Sequence, residues 1–241
     1  MTTFATFQNI LPDPNNTIGN AGQAAGDTGP GFASVKLTSS QPVIKDSTNS
    51  GQLLARAIAA HKWSISISYN PMVRSDFENI YSFILSKRGG LTPFYVSLPQ
   101  YSVPQDSTFA AWTDTVNLES VSSLLAGTTS ALLGKTGYSN TTNKTPLPGD
   151  LFNIDGVNSN HTKTYMVTRV ETTSDYQNGQ PQPAATQVRI HFVPGLQKGI
   201  ASADDFVFHN PLVKVVAKDI QEYSLNTDNL YKFSLSLEEV Q

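Results

Sequence analysis

The stretch from Trp63 to Pro99, WSISISYNPMVRSDFENIYSFILSKRGGLTPFYVSLP, constrains the fold more than any other part of the chain. Trp63, Ile65, Ile67 and Tyr69 alternate with Ser64, Ser66 and Ser68. That period of two describes a strand with one buried and one wet face. Asn70-Pro71 stops it, because Pro71 has no amide hydrogen and keeps the residue before it out of the helical region. Ser75 and Glu78 then have the spacing of a capping box. Phe77, Ile80, Tyr81, Ile84 and Leu85 follow at i, i+3, i+4, i+7 and i+8, one apolar stripe. The spacing predicts a helix over 76–88, with Lys87 and Arg88 favourable in its last turn and Gly89-Gly90 as the left-handed exit. Phe94, Val96 and Leu98 against Tyr95 and Ser97 make a second strand.

The rest of the chain reads as short strands. Residues 33–45 are a weak strand, and DSTNSG is a turn. QLLARAIAA (52–60) has helical propensity, but its continuation into HKWSISISY favours one long extended strand from about 53 to 69. TDTVNLESV is a candidate strand, and SSLLAGTTSALLG suits helix or strand equally. LFNIDG and KTYMVTRVETT read as the arms of a hairpin. Further strands are read at ATQVRIHFVPGL, DDFVFHNP, LVKVVAKDI and NLYKFSLSLEEV. The expectation is a mainly β chain with one strong helix. Residues 12–32, PDPNNTIGNAGQAAGDTGPGF after Leu11, carry no apolar period and read as loop or extended arm. Phe4, Phe7, Ile10 and Leu11 could anchor that arm on a neighbour or on its own core.

Composition narrows the function. Charged residues make up 15% and the formal net charge is −3, so the sequence as a whole has no electrostatic footprint for nucleic acid. There is no cysteine, which removes disulfides, zinc thiolates and thiol catalysis. No basic-then-apolar leader and no long apolar run is seen, so no signal peptide or membrane span is expected.

Candidate chemistry weighs out as structure. Asp27-Thr28-Gly29 is the aspartic protease triplet, but no strand leads into it, and turn chemistry is the better reading. GNAGQAAG (19–26) shares only glycines with a phosphate loop, since no Lys-Ser/Thr follows. His61, His161, His191 and His209 show no metal-ligand spacing. His191 alternates within an apolar strand and reads as a wall residue of a barrel. Asp150 and Asp155 flank one strand; turn stabilisation explains them better than a glycosidase pair, and Asp155-Gly156 is a turn dipeptide. The sequence therefore offers no catalytic, cofactor-binding or metal-ligating residues, and no enzyme is expected.

An aromatic-led strand, an NPM break, a short helix, RGG and PFYVSLP together resemble structural proteins of bacteriophage tails. PGDLFNIDG, KTYMVTRV, VRIHFVPGL and the terminal FSLSLEEV are similar to the same proteins. The resemblance covers about 40–100 and 145–241. It implies the tail-tube and distal tail (tail hub) plan: a β-sandwich or split barrel with one packed α-helix. On that plan residues 1–32 are an extended arm, 33–105 with 211–241 the tail-tube-like domain, and 106–210 an inserted β module. The implied partners are copies of the chain itself in a hexameric ring and other tail and baseplate proteins. No membrane and no specific nucleic-acid binding is implied, and the place is the virion tail after assembly in the host cytoplasm. The alternative is a carbohydrate-binding β module of a receptor-binding apparatus. It would need exposed aromatic platforms, and Trp63 and Trp112 are the only tryptophans.

Overall fold

Period-two alternation becomes sheet in two places, and the chain sorts into two compact units accordingly. One unit is formed by the chain up to Val96 together with the chain from Lys214 on; the other is Ser97–Val213. The computed structural model describes residues 9–11, 32–57, 61–155, 161–176, 181–218, 223–226 and 228–240.

The first unit opens with β1 (Phe32–Ser40), β2 (Val43–Ser47), β3 (Leu53–Ala57), β4 (Lys62–Tyr69), α1 (Arg74–Ser86) and β5 (Phe94–Ser97). The second contains α2 (Ser107–Thr113), β6 (Leu118–Ser120), β7 (Ser130–Gly134), β8 (Leu151–Asp155), β9 (Thr164–Glu171), β10 (Gln187–Val193) and β11 (Asp205–Val207). The chain then returns to the first sheet through β12 (Leu212–Ala217), β13 (Tyr223–Leu225) and β14 (Tyr231–Glu239). The chain is mainly β, as the alternation implied.

The sheet of the first unit runs β1-β4-β14-β12-β5, with β13 pairing β14. β1, β4 and β14 are mutually antiparallel and in tight register. Lys36 pairs with Ser66 and Ser66 with Ser236; Thr38 pairs with Ser64 and Ser64 with Glu238. Those rows form the wet face. The intervening residues Trp63, Ile65, Ile67, Phe233, Leu235 and Leu237 are buried. Phe77, Ile80, Phe83 and Ile84 of α1 are buried too, and Phe77 stacks on Tyr231 at 4.4 Å. Each large apolar side chain taken from water stabilises by about 1.5–3 kcal/mol.

The helix differs in detail from the sequence expectation. It covers Arg74–Ser86 rather than 76–88, and Val73 sits at its N-cap with no side-chain hydrogen bond. The expected capping box does not form. Ser75 and Glu78 both lie inside the helix, and Glu78 instead accepts from Arg74 Nε at 2.6 Å, an i,i+4 pair. Leu85 is exposed, Tyr81 is half-buried, and Phe83, absent from the expected stripe, is core. At 100° per residue Phe83 lies beyond Ile80 at one edge of the stripe and Leu85 beyond Tyr81 at the other, so the buried arc is turned towards Phe83. Arg88 as well as Gly89 takes positive φ at the exit. Gly90 does not; a Cβ there would sit 3.2 Å from the Ala217 carbonyl, so it is small for packing.

The expected single strand from 53 to 69 is two strands. β3 pairs with β2, and β4 pairs with β1 and β14. The same propensities serve both, but only β4 has a row of residues facing the core. The second unit is a closed barrel in the order β10-β7-β6-β11-β8-β9. Phe152 lies at its centre, with ring centroids of Tyr165, Phe192, Phe206 and Phe208 all within 5.5 Å. β8 and β9 form the expected hairpin. SSLLAGTTSALLG is neither wholly helix nor wholly strand: it is loop as far as Thr129 and then β7. The chain also has a second helix where one was expected. Asp106 caps α2 by accepting from the amides of Thr108 and Phe109, both at 2.9 Å.

Candidate functional site: assembly surfaces

The residues weighed for chemistry are scattered and structurally employed. His61 is buried, with Nε2 2.9 Å from Ser39 Oγ and its ring 4.7 Å from that of Trp63. His161 lies beside the Tyr165 hydroxyl, and burial pushes its imidazole below the usual value. His209 donates to the Ala110 carbonyl at 2.8 Å. His191 is in a strand of the closed barrel, as the reading of a barrel wall implied, with its ring nitrogen 3.0 Å from Glu171. Asp150 accepts from the amides of Gln105 and Leu147 and holds a turn. Asp155 ends β8 cross-strand from Asp205. Asp27–Gly29, the run 19–26 and the arm over 12–31 lie outside the described residues. Among the described residues no group of three or more His, Asp or Glu could hold a metal ion, and no helix is long and apolar enough to cross a membrane.

Glu171 is the strongest electrostatic feature of the barrel. Its side chain is fully buried, with Arg189 at 3.2 Å, His191 at 3.0 Å and Arg169 at 3.4 Å. Burial pushes its carboxyl up. Hydrogen bonds from His191 and Arg189, with the charges of His191 and Arg169, outweigh that and hold it below the usual carboxylate value. All four residues lie on the paired strands β9 and β10. This is a structural clamp.

The first unit holds an open depression of about 470 Å³, lined by Ser68, Tyr69, Tyr223, Ser224, Lys232 and Phe233 among others. Among the described residues no carboxylate or imidazole lines it. Trp63 is core, and Trp112 packs against the barrel core with its ring 5.1 Å from that of Tyr138. Neither tryptophan supplies the platform that the carbohydrate-binding alternative needs.

What remains is surface built for contact. β2 and β3 form a two-stranded ribbon joined by a turn at Thr48–Gln52, in which Gly51 takes φ +81°. Every β2 residue is exposed, and Val43, Ile44, Leu53 and Leu54 lie in water. Such a ribbon is marginal alone; its register sets Val43 and Leu53 on one face and Ile44 and Leu54 on the other, and apolar side chains left in water on both faces mark an interaction element. Among the described residues β1 has one strand neighbour, β4, so its nine residues end the described sheet as an edge strand. At the opposite end the sheet is closed. Tyr95 of β5 exchanges hydrogen bonds with Asn9 and Leu11, Leu11 is fully buried, and Lys87 Nζ donates to Asn9 Oδ1 at 2.5 Å. Ile10 and Leu11 thus anchor the N-terminal segment on its own unit.

Two comparisons with known proteins bear on these surfaces. Residues 11–101 match the family model described as the N-terminal part of the A domain of distal tail protein pb9. The chain is 26% identical over 219 residues to the distal tail protein pb9 of Escherichia phage T5, covering 88% of this chain and 93% of that relative. The chain is a structural component of a bacteriophage tail, similar to distal tail proteins, and its place is the virion tail, in assembly with other tail proteins.

Proposed function

We propose that the protein builds a ring of identical subunits, six in number, around the tail axis, and that it catalyses no reaction. The observation that carries this reading is the β2–β3 ribbon with four aliphatic side chains in water. A ring of identical subunits needs two different patches on each, one meeting the other on the next copy. The ribbon is one patch. The outer end of α1, where Leu85 and Leu91 are exposed, offers an apolar patch to receive it. The open edge of β1 offers backbone pairing beside that contact. The number six rests on the likeness to distal tail proteins.

In this reading residues 33–105 with 211–241 are the ring-forming domain, and 106–210 are a module inserted into it. A closed barrel leaves no open edge, which suits a module carried by the ring rather than one that closes it. Residues 1–32 are the arm, fixed to its own unit at Asn9–Leu11. Electron microscopy of the purified protein and of its native particle tests the proposal. Closed rings of identical subunits on the tail axis are expected. A single copy lying off the axis in the particle would overturn it.

A further inference from the structure

The net charge of −3 conceals an uneven distribution. Register and alternation place Lys36, Lys62, Lys214 and Lys232 on the wet face of the sheet β1-β4-β14-β12, with Lys218 just past the end of β12. Glu238 is the one carboxylate in the same rows, and Lys62 pairs with it at 2.6 Å. The other four lysines have no carboxylate partner among the described residues. Between them the face is carpeted with hydroxyls. Ser64, Ser66 and Ser68 of β4 stand beside Ser234 and Ser236 of β14, with Val216 beside Glu238 and Val240 beside Lys214 as the aliphatic residues of those rows.

We infer that this face is a sequence-independent contact surface for the phosphate backbone of double-stranded nucleic acid. Unpaired lysines release counterions from a polyanion when they approach it. Serine and threonine hydroxyls, with lysine, are among the usual donors to phosphate oxygens. Neighbouring strands set donors about 4.8 Å apart, and alternate residues along one strand about 6.8 Å, the scale of phosphate spacing along a duplex strand. Among the described residues the rows carry no Arg, Asn or Gln, the planar groups that make the most specific bidentate base contacts, and a contact dominated by phosphate carries no sequence preference. The inference needs only the first unit and stands apart from the ring proposal.

The test is fluorescence anisotropy of labelled short duplexes of unrelated sequence, titrated with the full-length protein between about 50 and 200 mM salt. Binding that is equal across sequences and falls steeply with salt is expected. The triple variant K36Q/K214Q/K232Q should lower the slope of log K against log salt by up to roughly 2.7, about 0.9 for each phosphate no longer neutralised. These positions are on the wet side of the sheet, so circular dichroism should be unchanged. The control K144Q/K198Q, at exposed lysines of the other unit, should leave the slope as it was. No binding at the lowest salt, or equal weakening in triple variant and control, would overturn the inference. Polyglutamate bound as tightly as duplex to the lysine face would overturn it too, reassigning the face to an acidic protein partner.

Discussion

Replacing Leu53 and Leu54 together by serine removes apolar surface that the isolated subunit leaves in water. Val43, Ile44, Leu53 and Leu54 are 43%, 58%, 64% and 52% exposed, so the ribbon offers about two full aliphatic side chains for burial against a partner. Val43 and Leu53 share one face of the ribbon and Ile44 and Leu54 the other, so at about 1.5–3 kcal/mol for each side chain fully buried a partner that covers both faces gains roughly 3–6 kcal/mol. The two leucines hold about half of that exposed surface. The variant should therefore weaken subunit association by about 1.5–3 kcal/mol, a rise of roughly 10- to 150-fold in the dissociation constant. Folding should be nearly untouched, because exposed substitutions change stability by about 0.5 kcal/mol or less. Sedimentation velocity across a concentration series reads the first quantity and thermal melting the second. A variant that melts like the wild type and associates with the same constant would refute the assignment of the ribbon to the interface. A large fall in melting temperature would refute it differently, by placing these leucines in the core.

Ile80→Asp puts a carboxylate at a fully buried position of α1 and should leave no soluble folded protein in an expression trial. Leu11→Ala opens a cavity where the N-terminal segment meets β5 and should cost about 2–5 kcal/mol in urea unfolding, with hydrogen exchange at Tyr95 as the local readout. Phe152→Ala removes the ring that four other aromatic rings contact and should cost about 3–5 kcal/mol in the barrel, seen as a lower calorimetric transition. Glu171→Ala leaves the largely buried Arg189 without its carboxylate and should cost about 3–5 kcal/mol by chemical denaturation. In the wild type the folded Glu171 carboxyl is held below its ordinary value of 4.5. Its contribution is therefore fully present above pH 4.5 and lost as pH falls through the lower folded value; a Glu171→Gln variant should show a flatter acid limb in stability against pH.

How far the sequence carries depends on whether a feature is local. The alternation over Trp63–Tyr69 and Tyr231–Glu239 needs nothing but neighbouring residues, and both strands form where it places them. The helix was legible from its stripe, but not its rotation, because Leu85 at one edge of the stripe and Phe83 just beyond the other are equally apolar, and only the packed sheet decides between them. α2 was missed because seven residues give too short a period; the signal that could have found it is Asp106 two and three residues before the amides it caps. Val43, Ile44, Leu53 and Leu54 read as ordinary strand hydrophobics. Nothing in a single chain's pattern separates an aliphatic residue facing its own core from one facing a partner. The lysine face was invisible for a related reason. Lys36, Lys214 and Lys232 are far apart in sequence, and only the strand order β1-β4-β14-β12 gathers them.

The two units differ in how completely each satisfies itself, and that difference decides where assembly must act. In the barrel every strand has two neighbours, the core holds sixteen buried residues from every strand, and its exposed apolar residues, such as Val103, Leu125 and Leu147, are distant in sequence. A closed barrel has no backbone groups left to pair with another chain. Among the described residues of the first unit β1 keeps an open edge, β2 and β3 have only each other, and four exposed aliphatics lie on that pair, two on each face. The ribbon is nonetheless in antiparallel register throughout, Val43 with Ala57 and Ser47 with Leu53. Its backbone is thus ordered by its own ladder, while its exposed aliphatic side chains gain little from it. A segment held in shape by its own subunit, with its apolar groups left for another, loses less entropy on docking than a loop that must first fold. Burial on a neighbour then contributes almost undiminished to association, which is what a small contact must have if it is to hold a ring closed.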